Sequence, residues 1–146
     1  MAPTSTFQHR DTPLRAGREI PDHVDGWELV ELAAQGSMGQ VFRARPAGSP
    51  SDRPGAYAVK LLAPRWQHDA GAVDLFRRQA TLSKEVSHAH LVPILAAGIH
   101  RPPYYVVMPW LAGRTLEDRL GLGLPIDLPH LLWTMRQVAE ALQALH

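Results

Sequence analysis

Val30, Leu32 and Ala34 alternate with polar or small neighbours, and the alternation resumes in Val41-Phe42-Arg43-Ala44-Arg45 after the turn Gly36-Ser37-Met38-Gly39. Period-two alternation on both sides of a glycine-containing turn predicts two strands joined as a hairpin, the first opening at Gly26-Trp27-Glu28-Leu29. A third run, Ala56-Tyr57-Ala58-Val59-Lys60-Leu61-Leu62, is apolar at nearly every position except Lys60 and predicts a third strand. An ammonium group in such a run is costly to bury unless an anion meets it. The connection from Arg45 to Gly55 carries three prolines and two glycines and reads as a long hairpin loop, a tolerated surface insertion.

Past Ala63-Pro64-Arg65-Trp66 the period lengthens to that of a helix, starting between Asp69 and Ala72 and ending near Val86. Leu75, Leu82 and Val86 fall on one stripe, and Gln79 occupies the i+4 position of that stripe, so the pattern places an uncharged polar residue on the inward face. Two more strands follow, Leu91 to Gly98 and Tyr104 to Trp110, joined by Ile99-His100-Arg101-Pro102-Pro103. Thr115 to Leu120 predicts a short threonine-capped helix closed by Gly121-Leu122-Gly123. The last helix runs from about Leu128 with Asp127 as cap and Pro129 in its first turn; Leu131, Leu132, Met135, Val138, Ala139, Leu142 and Leu145 give it a wide apolar stripe that wants a cover.

Composition narrows the classes. The 146 residues are at most one ordinary domain. With 45% hydrophobic and 20% charged residues and a net charge of +1, nothing calls for nucleic acid or a membrane surface as obligatory partner. There is no cysteine, so disulfides and thiolate metal sites are excluded, and no metal site is expected in this segment. His88 and His90 share a face as a metal-binding pair would, but no third ligand accompanies them. No apolar run is long enough for a membrane helix and the first residues lack a secretion signal, which makes a cytoplasmic location the default. Residues 1–25, with prolines at 3, 13 and 21 and little apolar content, are expected to be a flexible leader.

On these residues the chain resembles the protein kinase family. The glycine-rich loop G-x-G-x-x-G-x-V lines up with Ala34-Gln35-Gly36-Ser37-Met38-Gly39-Gln40-Val41, and the V-A-I-K strand with Tyr57-Ala58-Val59-Lys60. Ala34 stands where the first glycine would be. Phe76-Arg77-Arg78-Gln79, with His88 nine residues after Gln79, is similar to the family's F-x-R-E helix, and His88-Ala89-His90 to its His-Pro-Asn turn. Gln79 therefore stands where the glutamate partner of the strand lysine is expected.

The resemblance implies an α+β fold over residues 26–146. Residues 26–111 would form a small lobe and hinge, a five-stranded antiparallel sheet with one helix, and residues 112–146 would start a truncated large lobe with two helices. It further implies that ATP is bound. Loop amides around Ala34, Gly36, Ser37 and Gly39 would cover its phosphates, Lys60 would hold the α- and β-phosphates, and Val41, Ala58 and Met108 would wall the adenine. Met108 would be the gatekeeper, and the Pro109 carbonyl and Leu111 amide the edge that hydrogen-bonds the base. The family's H-R-D-x-x-x-x-N and D-F-G motifs, which supply the catalytic aspartate and the magnesium ligands, do not occur in the sequence. No catalytic residue is therefore expected in this chain. Phosphoryl transfer to serine or threonine of a protein substrate would belong to a complete kinase, with the missing large lobe or a partner covering the last helix. A nucleotide-binding pseudokinase or half-kinase module working through a partner is the alternative, and a small α+β interaction domain without nucleotide is a third.

Overall fold

The computed structural model describes residues 21–52, 54–123 and 125–146. Its strands are β1 (His23–Val24), β2 (Trp27–Gln35), β3 (Gly39–Pro46), β4 (Tyr57–Leu62), β5 (Ala96–Gly98) and β6 (Tyr105–Pro109). They form one antiparallel sheet in the order β1-β2-β3-β4-β6-β5. The helices are α1 (Ala70–Glu85), α2 (Leu116–Gly121) and α3 (Leu128–Ala144). None of them is long and apolar enough to cross a membrane.

The expected five strands are all present, and β1 adds a sixth at the edge. Its residues lie within the stretch 1–25 read as a leader, so sheet pairing begins at His23 rather than at Gly26. The rest of that leader, residues 1–20, falls outside the described residues. β5 is shorter than its predicted span: of Leu91 to Gly98 only Ala96–Gly98 pairs with β6. Leu91 to Leu95 are half-buried or exposed, and Pro93, which lacks an N–H, sits among them.

Alternation assigns the sheet two faces. Residues opposite one another in an antiparallel pair project to the same side. Phe42, Ala44, Val59, Leu61, Tyr105 and Val107 lie on one side and pack with Val24 and Leu29 in a first core. Val41, Ala58, Lys60, Leu62, Val106 and Met108 take the other side, where Leu62 and Val106 meet Val73, Phe76 and Ala80 of α1. Lys60 thus shares its face with the helix.

α1 starts where Asp69 accepts a hydrogen bond from the Ala72 N–H at 2.7 Å. Its buried positions are Ala72, Val73, Phe76 and Ala80. This corrects the stripe read from Leu75, Gln79, Leu82 and Val86: Leu75 and Leu82 are 46% and 51% exposed, and Gln79 is exposed as well. The two alanines let the helix approach the sheet closely with the Phe76 ring between them, and the bulkier leucines turn outward. α2 begins with a full capping box between Thr115 and Asp118. α3 has Asp127 as its cap and Pro129 in its first turn, and Ala141 is its one buried residue. Most of its apolar stripe, including Leu132, Met135, Val138 and Leu142, is exposed.

Candidate functional site

Lys60 is half-buried at the centre of β4, opposite Val41 of β3 and Val106 of β6. Its ammonium group stands 6.0 Å from the centre of the Phe76 ring. Burial pushes its pKa below the usual lysine value, and no other group contributes to the shift. No carboxylate among the described residues forms an ion pair with it. Gln79 makes no hydrogen bond to Lys60, and Asp74, one turn before Arg78, is engaged by that arginine at 2.9 Å.

The glycine turn lies between β2 and β3, where Ala34 pairs with Val41 and Gln35 with Gln40. It closes through the Gly36 N–H donating to the Gly39 carbonyl at 2.9 Å. The two glycines serve different needs. A Cβ on Gly39 would stand 2.4 Å from the Leu61 carbonyl oxygen, so this position must lack one for β3 to lie against β4. A Cβ on Gly36 would find nothing nearer than 4.0 Å. The Gly36 position is therefore open toward whatever lies beside the turn.

Met108 pairs with Ala58, which pairs with Arg43 two residues along from Val41, so Val41, Ala58, Lys60 and Met108 share one face. Beyond Met108 the chain leaves the sheet in a defined orientation. The Trp110 N–H donates to the Ala56 carbonyl at 2.9 Å. Because a trans peptide holds its C=O and N–H on opposite sides, the Pro109 carbonyl points away from β4. That is the side on which the Val107 carbonyl accepts from the Leu95 N–H at 2.8 Å, and past this bond β5 no longer reaches. Proline fits here because its missing N–H is not called for. Leu111 follows, 65% exposed.

Two features of the site escaped the sequence reading. The Arg43 guanidinium lies 5.1 Å over the Trp110 ring and donates from Nε to the Gly55 carbonyl at 2.8 Å, tying the loop before β4 to the segment after β6. An arginine on the same face as Ala58 was a signal available in the alternation. The second feature is the attachment of the glycine turn to residues 63–66, described below; nothing in the spacing announced it.

Among the described residues no group of three or more histidine, aspartate or glutamate side chains could hold a metal ion. His90 instead meets Glu140 of α3 at 3.5 Å, and the His88 and His90 rings stack edge to face at 5.3 Å. These histidines join the segment before β5 to α3.

A curled antiparallel sheet with one helix on the face that carries a lysine, then an exposed strand end leading to further helices, is the small lobe of a kinase. The sequence matches the family model for protein tyrosine and serine/threonine kinases over residues 28–146, and the chain belongs to that family. It is 27% identical over 120 residues to the serine/threonine-protein kinase PknD of Mycobacterium tuberculosis and 26% identical over 120 residues to PrkC of Bacillus subtilis. Each alignment covers 82% of this chain and 18% of the relative, so the chain spans about a fifth of the length of these kinases. Among solved structures it superposes on the kinase domain of Mycobacterium tuberculosis PknI with a TM-score of 0.66 and 21% identity, over 83% of this chain and 47% of that one. The chain is a segment of a protein kinase domain with the fold of the small lobe and the start of the large lobe.

Proposed function

We propose that this chain is the ATP-binding portion of a serine/threonine protein kinase. The observation that carries the reading is Lys60: a half-buried ammonium with no anionic partner among the described residues, beside the glycine turn and on the same face as Ala58 and Met108. In this reading the adenine lies between Val41, Ala58 and Met108, with the Pro109 carbonyl and Leu111 N–H at its edge, as apolar walls with a few aimed polar groups require. The α- and β-phosphates reach Lys60, and the turn around Ala34, Gly36, Ser37 and Gly39 covers them. These residues bind and orient the nucleotide and hold positive charge against it.

Magnesium fits this chain less well than ATP does. Among the described residues no acidic cluster could hold the metal, so its ligands, like the catalytic aspartate, are assigned to the complete protein. Transfer of the γ-phosphoryl group to a protein serine or threonine is likewise assigned to the complete kinase. A second reading, a nucleotide-binding pseudokinase that acts through a partner, is favoured by one observation: Gln79 is uncharged and leaves Lys60 without the fixed counter-charge the family uses.

The test is calorimetric titration with ATP and magnesium, for the wild type and for Lys60→Met. The wild type is expected to bind, and at ten times Kd the nucleotide should add about 1.4 kcal/mol to its stability. Lys60→Met should lose at least about tenfold in affinity, the scale of one charge-assisted contact. Equal binding by both proteins would overturn the role of Lys60, and no binding by the wild type would overturn the nucleotide reading.

A further inference from the structure

The tip of the glycine turn does not hang free. The Ser37 carbonyl accepts two hydrogen bonds from one short segment, from an Arg65 guanidinium nitrogen and from the Trp66 indole Nε1 at 2.9 Å. The next carbonyl, that of Met38, accepts from the Ala63 N–H at 2.9 Å and continues the β3–β4 ladder beyond the Gly39–Leu62 pair. Pro64–Trp66 is a single 3-10 turn, and the Arg65 guanidinium lies 5.8 Å from the Trp66 ring, so the two donors are held together. Gln67 anchors the same segment to the end of β4 and to the residue before β6: its Nε2 donates to the Leu62 carbonyl at 2.8 Å, and its Oε1 accepts from the Tyr104 N–H at 3.3 Å. Asp69 then caps α1.

These bonds orient the turn. In a trans peptide the C=O of one residue and the N–H of the next point in opposite directions. Drawing the Ser37 and Met38 carbonyls toward residues 63–66 therefore turns the Met38 and Gly39 N–H groups the other way. The Met38 N–H donates to no acceptor among the described residues. A pair of successive amides held in one direction is a site for phosphate oxygens, and its value depends on the amides being set before the anion arrives.

We infer that Arg65 and Trp66 are positioning residues for the phosphate-covering turn. They fix the Ser37 carbonyl so that the Met38 and Gly39 amides are preset for the phosphates of a nucleotide, and they tie the turn to the start of α1, the helix that carries Phe76 beside Lys60. The inference rests on the nucleotide reading above. It adds residues outside the glycine motif, on the linker between β4 and α1.

Two measurements on the full chain test it. Amide hydrogen exchange at Gly36 and Ala63, whose N–H groups donate to the Gly39 and Met38 carbonyls, reads the attachment itself without nucleotide: Arg65→Ala combined with Trp66→Phe should speed exchange there while leaving β4 and β6 unchanged. Unaltered exchange at the turn would overturn the inference. Calorimetry then compares ATP with adenosine, which lacks phosphates. The double variant should lose about three- to tenfold in ATP affinity, the range for one or two neutral hydrogen bonds, and bind adenosine as the wild type does. Parallel loss of both ligands, or no loss of either, would overturn it. A wild type that binds neither ligand would overturn the nucleotide reading and this inference with it, while the exchange result would still report whether the turn is held.

Discussion

The Lys60 ammonium and the Phe76 ring face each other across the sheet and α1 at 6.0 Å, and no carboxylate among the described residues forms an ion pair with the lysine. An aromatic face offsets part of the cost of burying a cation but does not neutralise it. Removing the charge should therefore cost the fold nothing. Lys60→Met is expected to keep or raise the thermal midpoint while ATP binding falls. Because burial holds the lysine's pKa below its unfolded value, the folded state binds fewer protons than the unfolded state as pH climbs toward the ordinary lysine range. Lys60 thus adds stability with rising pH in that window, and Lys60→Met should remove this component from the stability curve. A midpoint that drops by several degrees in the variant would show that the ammonium has a partner that stabilises the fold.

In the proposed reading Gln79 takes the place of an acid that the family pairs with this lysine, yet it is exposed on α1. Gln79→Glu is expected to raise the Lys60 pKa toward or above its ordinary value and to strengthen ATP binding in the complete kinase, the gain being that of a partly screened ion pair, about 0.2–1 kcal/mol. NMR titration of the Lys60 side chain reads this directly. An unmoved titration would mean that α1 keeps position 79 out of the lysine's reach and that the anion comes from the nucleotide alone.

The two glycines of the turn predict opposite outcomes. Gly39→Ala would push a methyl group to 2.4 Å from the Leu61 carbonyl, so β3 and β4 must separate locally; a loss of about 1–3 kcal/mol is expected. Gly36→Ala meets nothing within 4 Å except the Gly39 oxygen at that limit, so the fold should keep its stability while the added methyl obstructs approach to phosphate. Denaturant unfolding and ATP titration of the two variants separate the roles. If Gly36→Ala lost the stability and Gly39→Ala did not, the register of β3 against β4 would be wrong.

What the sequence disclosed and what it hid follow from the range over which each signal acts. The hairpin, the lone lysine of β4 and the strand that ends at Pro109 were legible because alternation and a charge in an apolar run are local patterns. The buried face of α1 was not. Leu75 and Leu82 outweigh Ala72 and Ala80 in hydrophobicity, but small residues win where a helix must lie close to a sheet, and that closeness is set by β4 and β6. β5 was overextended because Leu91 to Leu95 look apolar in isolation, although the ladder with β6 holds only Ala96–Gly98, extended by the single Leu95 N–H bond to Val107. The hold of Arg65 and Trp66 on Ser37 joins residues 28 and 29 positions apart through a backbone carbonyl, an acceptor that every residue carries and no pattern marks.

On the opposite face of the sheet, Tyr105 closes the edge that β1 adds. Its hydroxyl donates to the Asp25 carboxylate at 2.7 Å, and Asp25 holds a left-handed backbone conformation at φ 45°, which aspartate tolerates better than most residues. The ring is 7% exposed and lies over Gly98, where a Cβ would stand 2.2 Å from it. Burial, and then the Asp25 hydrogen bond and charge, raise the phenol to about 12. A folded-state pKa above the unfolded value of about 10 means that the stabilisation is complete below pH 10 and is lost as pH rises toward 12. Tyr105→Phe should cost about 1 kcal/mol at neutral pH through the lost hydrogen bond and should flatten the fall in stability across that alkaline window. Asp25→Asn should keep the fold at neutral pH and lower the phenol's pKa only in part, since burial, the larger cause, remains. Phenolate absorbance followed through an alkaline titration measures both. If Tyr105 titrated near pH 10 in the folded wild type, alongside an exposed tyrosine, its burial and its hydrogen bond to Asp25 would be disproved.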